Sequence, residues 1–175
     1  MSCFTNGSNF LQKHCNIIHA VFNRNIFLYI WPMKNNGDII VIEDDADDRE
    51  ILVEAFEQVL AENRYSNRIV VFEDSATVMD YLKTNGTDPF LLISDINMPK
   101  IDGFTLRSRI FNDPDLKDRC IPYLFLTTSG NNEEYIRKAY QMSVQGYFSK
   151  PVHFKDYKKL ISEILAYWKL SRTPL

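Results

Sequence analysis

The sequence predicts an α/β fold with a doubly wound, five-stranded parallel sheet. From Asp38 onward, short apolar runs alternate with segments whose apolar residues recur at helical spacing. Five strands that are each followed by a helix give parallel pairing with right-handed crossovers. The strand runs are almost continuously apolar, which is expected when helices cover both faces of a sheet. About 135 residues are sufficient for one buried core.

Five short runs account for the strands. They are rich in β-branched and aromatic residues and are bounded by acidic or turn-forming residues. Their continuous apolar character indicates strands that are buried on both sides. In chain order, the predicted strands cover residues 38–43, 68–73, 90–95, 121–127 and 145–149.

The segments between these runs have the spacing of amphipathic helices. Asp45 or Asp47 can cap the first helix, and Asp74 with Ser75 can cap the second. The third helix ends at Asp113-Pro114, because a proline restricts the residue before it and removes a backbone donor. In chain order, we expect helices at residues 45–63, from 75 to about 85, 102–112, 131–143 and from 153 to about 170.

The first stretch of the chain differs in composition from the remainder. Residues 1–37 contain no Asp or Glu, so all 23 acidic residues lie from Asp38 onward. We therefore expect an N-terminal extension at residues 1–36, a folded domain at 37–171 and a short tail at 172–175.

An apolar and aromatic segment, Ile17–Trp31, lies within this extension. Asn23, Arg24 and Asn25 interrupt it, and the remaining runs are shorter than the roughly 20 residues of a membrane-spanning helix. We expect a poorly ordered extension, or sequence that precedes the true start at Met33. A docking or membrane-surface segment is the alternative.

Charge and cysteine content exclude several classes of protein. The formal net charge is -3, and no Lys/Arg cluster of the kind found in nucleic-acid binders occurs. The three cysteines form neither a Cys-x-x-Cys motif nor a Cys/His cluster, which argues against a disulfide scaffold or a structural zinc site. We expect a cytoplasmic protein that binds neither nucleic acid nor membrane.

Polar residues follow the predicted strands at the points where they end. Glu43 and Asp44 follow the first strand, Asp95 ends the third, Thr127 ends the fourth, and Lys150 follows the fifth. The carboxyl ends of parallel strands meet at one edge of the sheet, where ligands bind. Clustered carboxylates repel one another unless a cation neutralises them, and oxygen ligands without Cys or His favour Mg²⁺. A central aspartate in such a site can attack phosphorus and form an acyl phosphate.

These motifs together resemble the receiver domain of two-component response regulators, of the chemotaxis single-domain type. The resemblance covers about residues 37 to 170. It is carried by Glu43-Asp44-Asp45, Ser94-Asp95-Ile96-Asn97-Met98-Pro99, Ile101-Asp102-Gly103, Ile121-Pro122 with Leu126-Thr127, and Gly146-Tyr147-Phe148-Ser149-Lys150-Pro151. It implies a flavodoxin-like (βα)5 fold with strand order 2-1-3-4-5.

The resemblance also implies the residues of a phosphorylation and metal site. Asp95 matches the phosphoacceptor, and Asp44 matches the direct metal ligand at the end of the first strand. Glu43 occupies the companion acidic position, and the backbone carbonyl of Asn97 matches a further Mg²⁺ ligand. Asp45 adds a third acid, so the alternative register Asp44-Asp45 is open, although Asp45 falls near the helix cap.

Three further residues match the family's switch. Thr127 matches the switch hydroxyl, Lys150 the lysine of the site, and Tyr147 the aromatic rotamer switch. Thr128 stands where a small residue such as alanine is frequent, so it could compete for the phosphoryl hydrogen bond.

The expected function is that of a stand-alone receiver rather than an enzyme with turnover. It would accept a phosphoryl group from a histidine kinase or histidine phosphotransfer protein, and pass the signal to a target through the face of the fourth helix, fifth strand and fifth helix. A phosphorylation-dependent homodimer is compatible with this reading. The alternatives are an interaction module that works without phosphorylation and a dehalogenase-type phosphohydrolase, which needs an Asp where this chain has Asn97.

Overall fold

The computed structural model describes residues 36–84, 87 and 89–171. Most of the expected N-terminal extension and the tail at 172–175 lie outside the described residues, so those domain boundaries stay predictions. The strands are β1 Asp38–Ile42, β2 Ile69–Phe72, β3 Pro89–Ser94, β4 Tyr123–Thr127 and β5 Gly146–Ser149. The helices are α1 Ala46–Asn63, α2 Val78–Lys83, α3 Gly103–Asn112, α4 Glu133–Gln141 and α5 Phe154–Leu170, with a 3-10 helix at Lys117–Arg119.

All five strands pair in parallel in the order β2-β1-β3-β4-β5. The central register sets Ile40 opposite Val70 on one side and Leu92 on the other. Leu92 in turn pairs with Tyr123, so the three middle strands are aligned at their buried centres. The predicted fold class and strand order are therefore confirmed.

Alternating strand residues supply two separate cores, one on each face of the sheet. On one face Ile39, Val41 and their neighbours pack under α1 and α5. On the other face Ile40, Ile42 and their neighbours pack under α2, α3 and α4. Because successive side chains of a strand point to opposite faces, strands between two helical layers must be apolar at every position. This requirement explains the continuous apolar runs in the sequence.

Side-chain caps set the beginning of three helices. Asp45 caps α1, where its Oδ1 accepts hydrogen bonds from the backbone N–H groups of Asp47 and Asp48 at 3.0 and 2.9 Å. Asp102 caps α3 in the same way through the N–H of Thr105. Asn132 caps α4, so that helix begins two residues later than the expected start at residue 131.

The start of α2 differs from the prediction. Asp74 and Ser75 were expected to cap it, but the helix begins at Val78 and its N-cap residue, Thr77, makes no capping hydrogen bond through its side chain. Asp74 instead pairs with Lys100 at 2.7 Å, and the Ser75 hydroxyl donates to the carbonyl of Ile101 at 2.5 Å. Both residues are therefore tied to the β3–α3 loop, and the helix starts only after them.

No helix in the part of the chain that the structure describes combines the length and apolar character needed to cross a bilayer. The apolar surfaces of α1 and α5 face the core of the domain instead.

An ion pair at the start of β1 gives a testable pH dependence. The Asp38 carboxylate accepts hydrogen bonds from Arg68 at 2.9 Å and from the Tyr81 hydroxyl at 2.6 Å. The hydrogen bond from Arg68 lowers the pKa of Asp38 below its usual value, although burial opposes the shift. The stabilisation is therefore present above the unfolded-state pKa of about 3.9 and is lost as the pH falls through the lower folded-state pKa.

We expect Asp38→Asn to lower the free energy of unfolding at neutral pH, and the difference from wild type to shrink at about pH 3. Urea denaturation at both pH values measures it. Asp118→Asn, which changes an exposed acid that forms no ion pair with any described residue, is the matched control. An equal decrease in the free energy of unfolding at both pH values would show that the charge of the Asp38 carboxylate does not contribute to stability.

Candidate functional site

Four strands bring the predicted site residues to one edge of the sheet. The N–H of Asp95 donates to the carbonyl of Ile42 at 3.0 Å, which continues the β1–β3 ladder and places Asp95 beside Glu43. The N–H of Lys150 donates to the carbonyl of Thr127 at 2.9 Å and continues the β4–β5 ladder in the same way. The convergence expected from the sequence therefore follows directly from the parallel pairing.

Three carboxylates meet at this edge. Oxygen atoms of Glu43, Asp44 and Asp95 all lie within 4.8 Å of one another. Glu43 and Asp95 are buried, with 1% and 6% of their surface exposed, whereas Asp44 is half-buried. The carboxylate of Asp45 is engaged as the N-cap of α1, so the geometry favours the register Glu43-Asp44 over Asp44-Asp45.

The two oxygens of the Asp95 carboxylate have different surroundings. Oδ2 accepts a hydrogen bond from the backbone N–H of Asn97 at 3.0 Å. Oδ1 is buried and accepts no hydrogen bond from any described residue. A buried acceptor without a partner is costly unless a ligand or ion completes it. The donor set of carboxylate oxygens and this unpaired oxygen both fit a hard divalent cation.

The side chain of Lys150 lies among the acidic groups and is only 6% exposed. Its Nζ is 2.8 Å from Glu43 Oε2 and 2.6 Å from Asp48 Oδ2, but 3.9 Å from Asp95 Oδ1. Although burial opposes the shift, hydrogen bonds to Asp48 and Glu43 raise the pKa of Lys150, which stays an ammonium group. Burial raises the pKa of Glu43 to about 7, with the ammonium of Lys150 acting against the rise.

The predicted switch residues meet at Ser129, in the loop between β4 and α4. The Ser129 N–H donates to the buried hydroxyl of Thr127 at 3.3 Å, and the Tyr147 hydroxyl donates to the Ser129 carbonyl at 2.9 Å. The side-chain amide of Asn97 donates to the Ser129 hydroxyl at 3.3 Å. Ser129 therefore connects Asn97, in the β3–α3 loop, with Tyr147 on β5.

Tyr147 and its neighbour Phe148 pack on opposite faces. Tyr147 is half-buried against the core under α2, α3 and α4, with its ring 6.3 Å from that of Phe125 between centroids. Phe148 packs against the other core. Thr128, in contrast, is exposed.

The sequence did not reveal three contributors to this site. Asp48 holds Lys150, Ser129 joins the switch residues, and Arg49 fixes the acidic strand end by donating to the carbonyls of Glu43 and Asp44 at 3.0 and 3.1 Å. Arg49 is the sole base in the acidic stretch 43–50, a signal that could have drawn attention to it. Asp48 and Ser129 carry no comparable signal, because acids and serines are common in a first helical turn and in a loop.

The fold and this edge define a doubly wound α/β domain with an acidic, lysine-containing site at the carboxyl ends of its strands. The family model of the response regulator receiver domain matches residues 39–162. The chain therefore belongs to the response regulator receiver family, as its motifs indicated.

Two relatives resemble it over most of their length. The chain is 31% identical to the probable methanogenesis regulatory protein FilR2 of Methanothrix harundinacea, over 74% of this chain and 82% of that protein. It is 30% identical to the response regulator Rcp1 of Synechocystis sp., over 74% of this chain and 87% of that protein.

Solved structures of related proteins share the fold. The Mn²⁺-bound form of response regulator Rcp1 is 29% identical, with a TM-score of 0.66 over 79% of this chain and 99% of that chain. The phosphorylated cyanobacterial phytochrome response regulator RcpA is 28% identical, with a TM-score of 0.68 over 79% of this chain and 97% of that chain.

Proposed function

We propose that this receiver domain is a phosphorylation-dependent switch that accepts a phosphoryl group on Asp95. The observation that carries the proposal is the buried Oδ1 of Asp95, which has no hydrogen-bond partner among the described residues. It lies in a cluster with Glu43 and Asp44 and faces the ammonium group of Lys150. A carboxylate left unsatisfied in this position is suited to bonding an incoming group.

In the transfer step, a carboxylate oxygen of Asp95 attacks the phosphorus of the donor. A new bond forms between that oxygen and phosphorus, and the bond between phosphorus and the leaving group breaks. The electron pair of the broken bond departs with the leaving group, which is the imidazole of a phosphohistidine or the carboxylate of a small acyl phosphate. The ammonium of Lys150 would offset negative charge on the transferring oxygens.

The same proposal assigns a Mg²⁺ site to this edge. The carboxylates of Glu43, Asp44 and Asp95 and the backbone carbonyl of Asn97 would hold the ion. When bound, it would neutralise the clustered acids and balance charge on the phosphoryl oxygens. The Mn²⁺-bound form of Rcp1, a neighbour in fold and sequence, supports a divalent cation in this type of domain.

The phosphoryl donor would be a histidine kinase or a histidine phosphotransfer protein. The new phosphoryl oxygens would attract the hydroxyl of Thr127 and disturb the Ser129 loop, which contacts Tyr147. The affected surface is formed by α4, β5 and α5, and we propose it as the contact face for a downstream target or a second copy. The phosphorylated form of RcpA, another neighbour, is consistent with such a switch.

The geometry disfavours a phosphohydrolase. A dehalogenase-type enzyme needs an acid two residues after its nucleophile to protonate the leaving group. That position is Asn97 here, and its side-chain amide donates a hydrogen bond to Ser129. An amide cannot serve as a general acid or base near neutral pH.

The test is phosphoryl incorporation by the full chain. The protein is incubated with Mg²⁺ and a small acyl phosphate, and its intact mass is measured. We expect one added phosphoryl group, which is lost on treatment with hydroxylamine because an acyl phosphate is cleaved by this nucleophile. A chain that takes up no phosphoryl group from either a small donor or a phosphorylated histidine phosphotransfer protein would support the phosphorylation-independent reading.

A further inference from the structure

Asp48 contributes a carboxylate to the site, although it does not lie at the end of a strand. It lies in the first turn of α1, and its Oδ2 is 2.6 Å from Lys150 Nζ. This contact joins residues that are 102 positions apart in the chain. It is shorter than either of the other contacts that Lys150 makes with carboxylates.

The ammonium group of Lys150 has three N–H donors. Its Nζ lies within hydrogen-bonding distance of Asp48 and Glu43, at 2.6 and 2.8 Å. The distance to Asp95 Oδ1 is 3.9 Å, which is too long for a hydrogen bond. The ammonium is therefore held beside the two other acids and stops short of the proposed phosphoacceptor.

We infer that Asp48 is a positioning residue that restrains Lys150 away from Asp95 and thereby slows entry of the phosphoryl group. The inference rests on the proposed function, because it concerns how Lys150 serves Asp95. Asp48 itself does not touch the phosphoryl group; it acts through the lysine.

The difference in burial between Asp48 and Glu43 indicates that the contact of Lys150 with Asp48 breaks at the smaller free-energy cost. The Asp48 side chain is 30% exposed, so water can replace the lost ammonium contact. The Glu43 side chain is 2% exposed, so water cannot replace the ammonium contact there as it can at Asp48. Movement of Lys150 toward an incoming phosphoryl group should therefore break the contact with Asp48 and keep the one with Glu43.

The experiment compares Asp48→Asn with wild type in the full chain, using Mg²⁺ and a small acyl phosphate. We expect the labelling rate to rise by roughly threefold to tenfold, because a released ammonium reaches the transferring group at a smaller free-energy cost. Asp47→Asn is the matched control, since it removes the same charge from the neighbouring exposed position, which has no contact with Lys150. Asp48→Glu retains the charge and should raise the rate less than Asp48→Asn does.

A second pair of variants separates restraint of the lysine from general charge repulsion. In a Lys150→Met background, adding Asp48→Asn should leave the labelling rate unchanged, because the restrained group is absent. A rate increase that persists in this background, or that Asp47→Asn reproduces, would overturn the inference. Equal rates for wild type and Asp48→Asn would also overturn it, whereas an unlabelled wild-type chain would instead refute the proposed function. Cooperative melting of each variant establishes that the compared proteins are folded.

Discussion

Asp95→Asn is expected to abolish phosphoryl incorporation. The substitution keeps the size and shape of the side chain but replaces the attacking carboxylate oxygen with an amide, which does not act as a nucleophile toward phosphorus. The neighbouring acids have other roles: Glu43 is paired with Lys150, Asp45 caps α1, and Asp44 is a proposed ligand of Mg²⁺. Phosphoryl incorporation should therefore be lost completely rather than slowed.

Intact-mass spectrometry after incubation with Mg²⁺ and a small acyl phosphate measures this loss. Asp80→Asn, which changes an exposed acid on α2, should label like wild type. We expect the melting temperature of Asp95→Asn to stay equal or to rise, because the change removes one of three clustered carboxylates. A fully labelled Asp95→Asn protein would show that another residue is the acceptor.

The sequence predicted those site residues whose positions are set by strand pairing in the sheet. A residue at the carboxyl end of a parallel strand is placed by backbone pairing, so Asp95 and Lys150 could be located from the strand pattern alone. Their partners on β1 and β4 follow from the same pairing, as the ladder hydrogen bonds to Ile42 and Thr127 show. No knowledge of side-chain packing was needed for these residues.

The site residues that the sequence did not predict are defined by contacts of their side chains with distant parts of the fold or with the backbone. Asp48 meets Lys150 because the first turn of α1 lies beside the residue that follows β5, and no periodicity in the chain encodes that contact. Arg49 donates to backbone carbonyls, which every residue has, so the contact leaves no signal in the sequence. Asp74 failed as a predicted cap because α2 begins only at Val78. Its Oδ1 accepts a local hydrogen bond from the Ala76 N–H at 2.8 Å, and its Oδ2 pairs with Lys100.

Gly103 connects the packing of the domain to the position of Asp95. It begins α3, and its N–H donates to the carbonyl of Ile96 at 2.9 Å. A Cβ atom at this position would lie 2.4 Å from the backbone oxygen of Asp95 and 2.7 Å from a ring carbon of Phe125. The glycine of the Ile101-Asp102-Gly103 motif is therefore required because the start of α3 lies close to the backbone of Asp95.

We expect Gly103→Ala to destabilise the protein by about 1–3 kcal/mol, the usual cost of overpacking a buried site. Helix propensity alone predicts a gain of up to about 1 kcal/mol for alanine over glycine, so a loss has the opposite sign from the local preference. Urea denaturation measures the change, and Arg109→Ala on an exposed position of the same helix should stay within about 0.5 kcal/mol of wild type.

The same substitution should also slow phosphoryl labelling, because the nearest obstructing atom belongs to the backbone of Asp95 and cannot be moved by a side-chain rotation. Relief of the clash must displace either α3 or the end of β3, and a small misplacement of a reacting group costs rate. A Gly103→Ala protein that is as stable as wild type and labels at the same rate would mean that α3 can withdraw without disturbing Asp95. Loss of stability with an unchanged labelling rate would place the displacement in the helix and leave the strand end fixed.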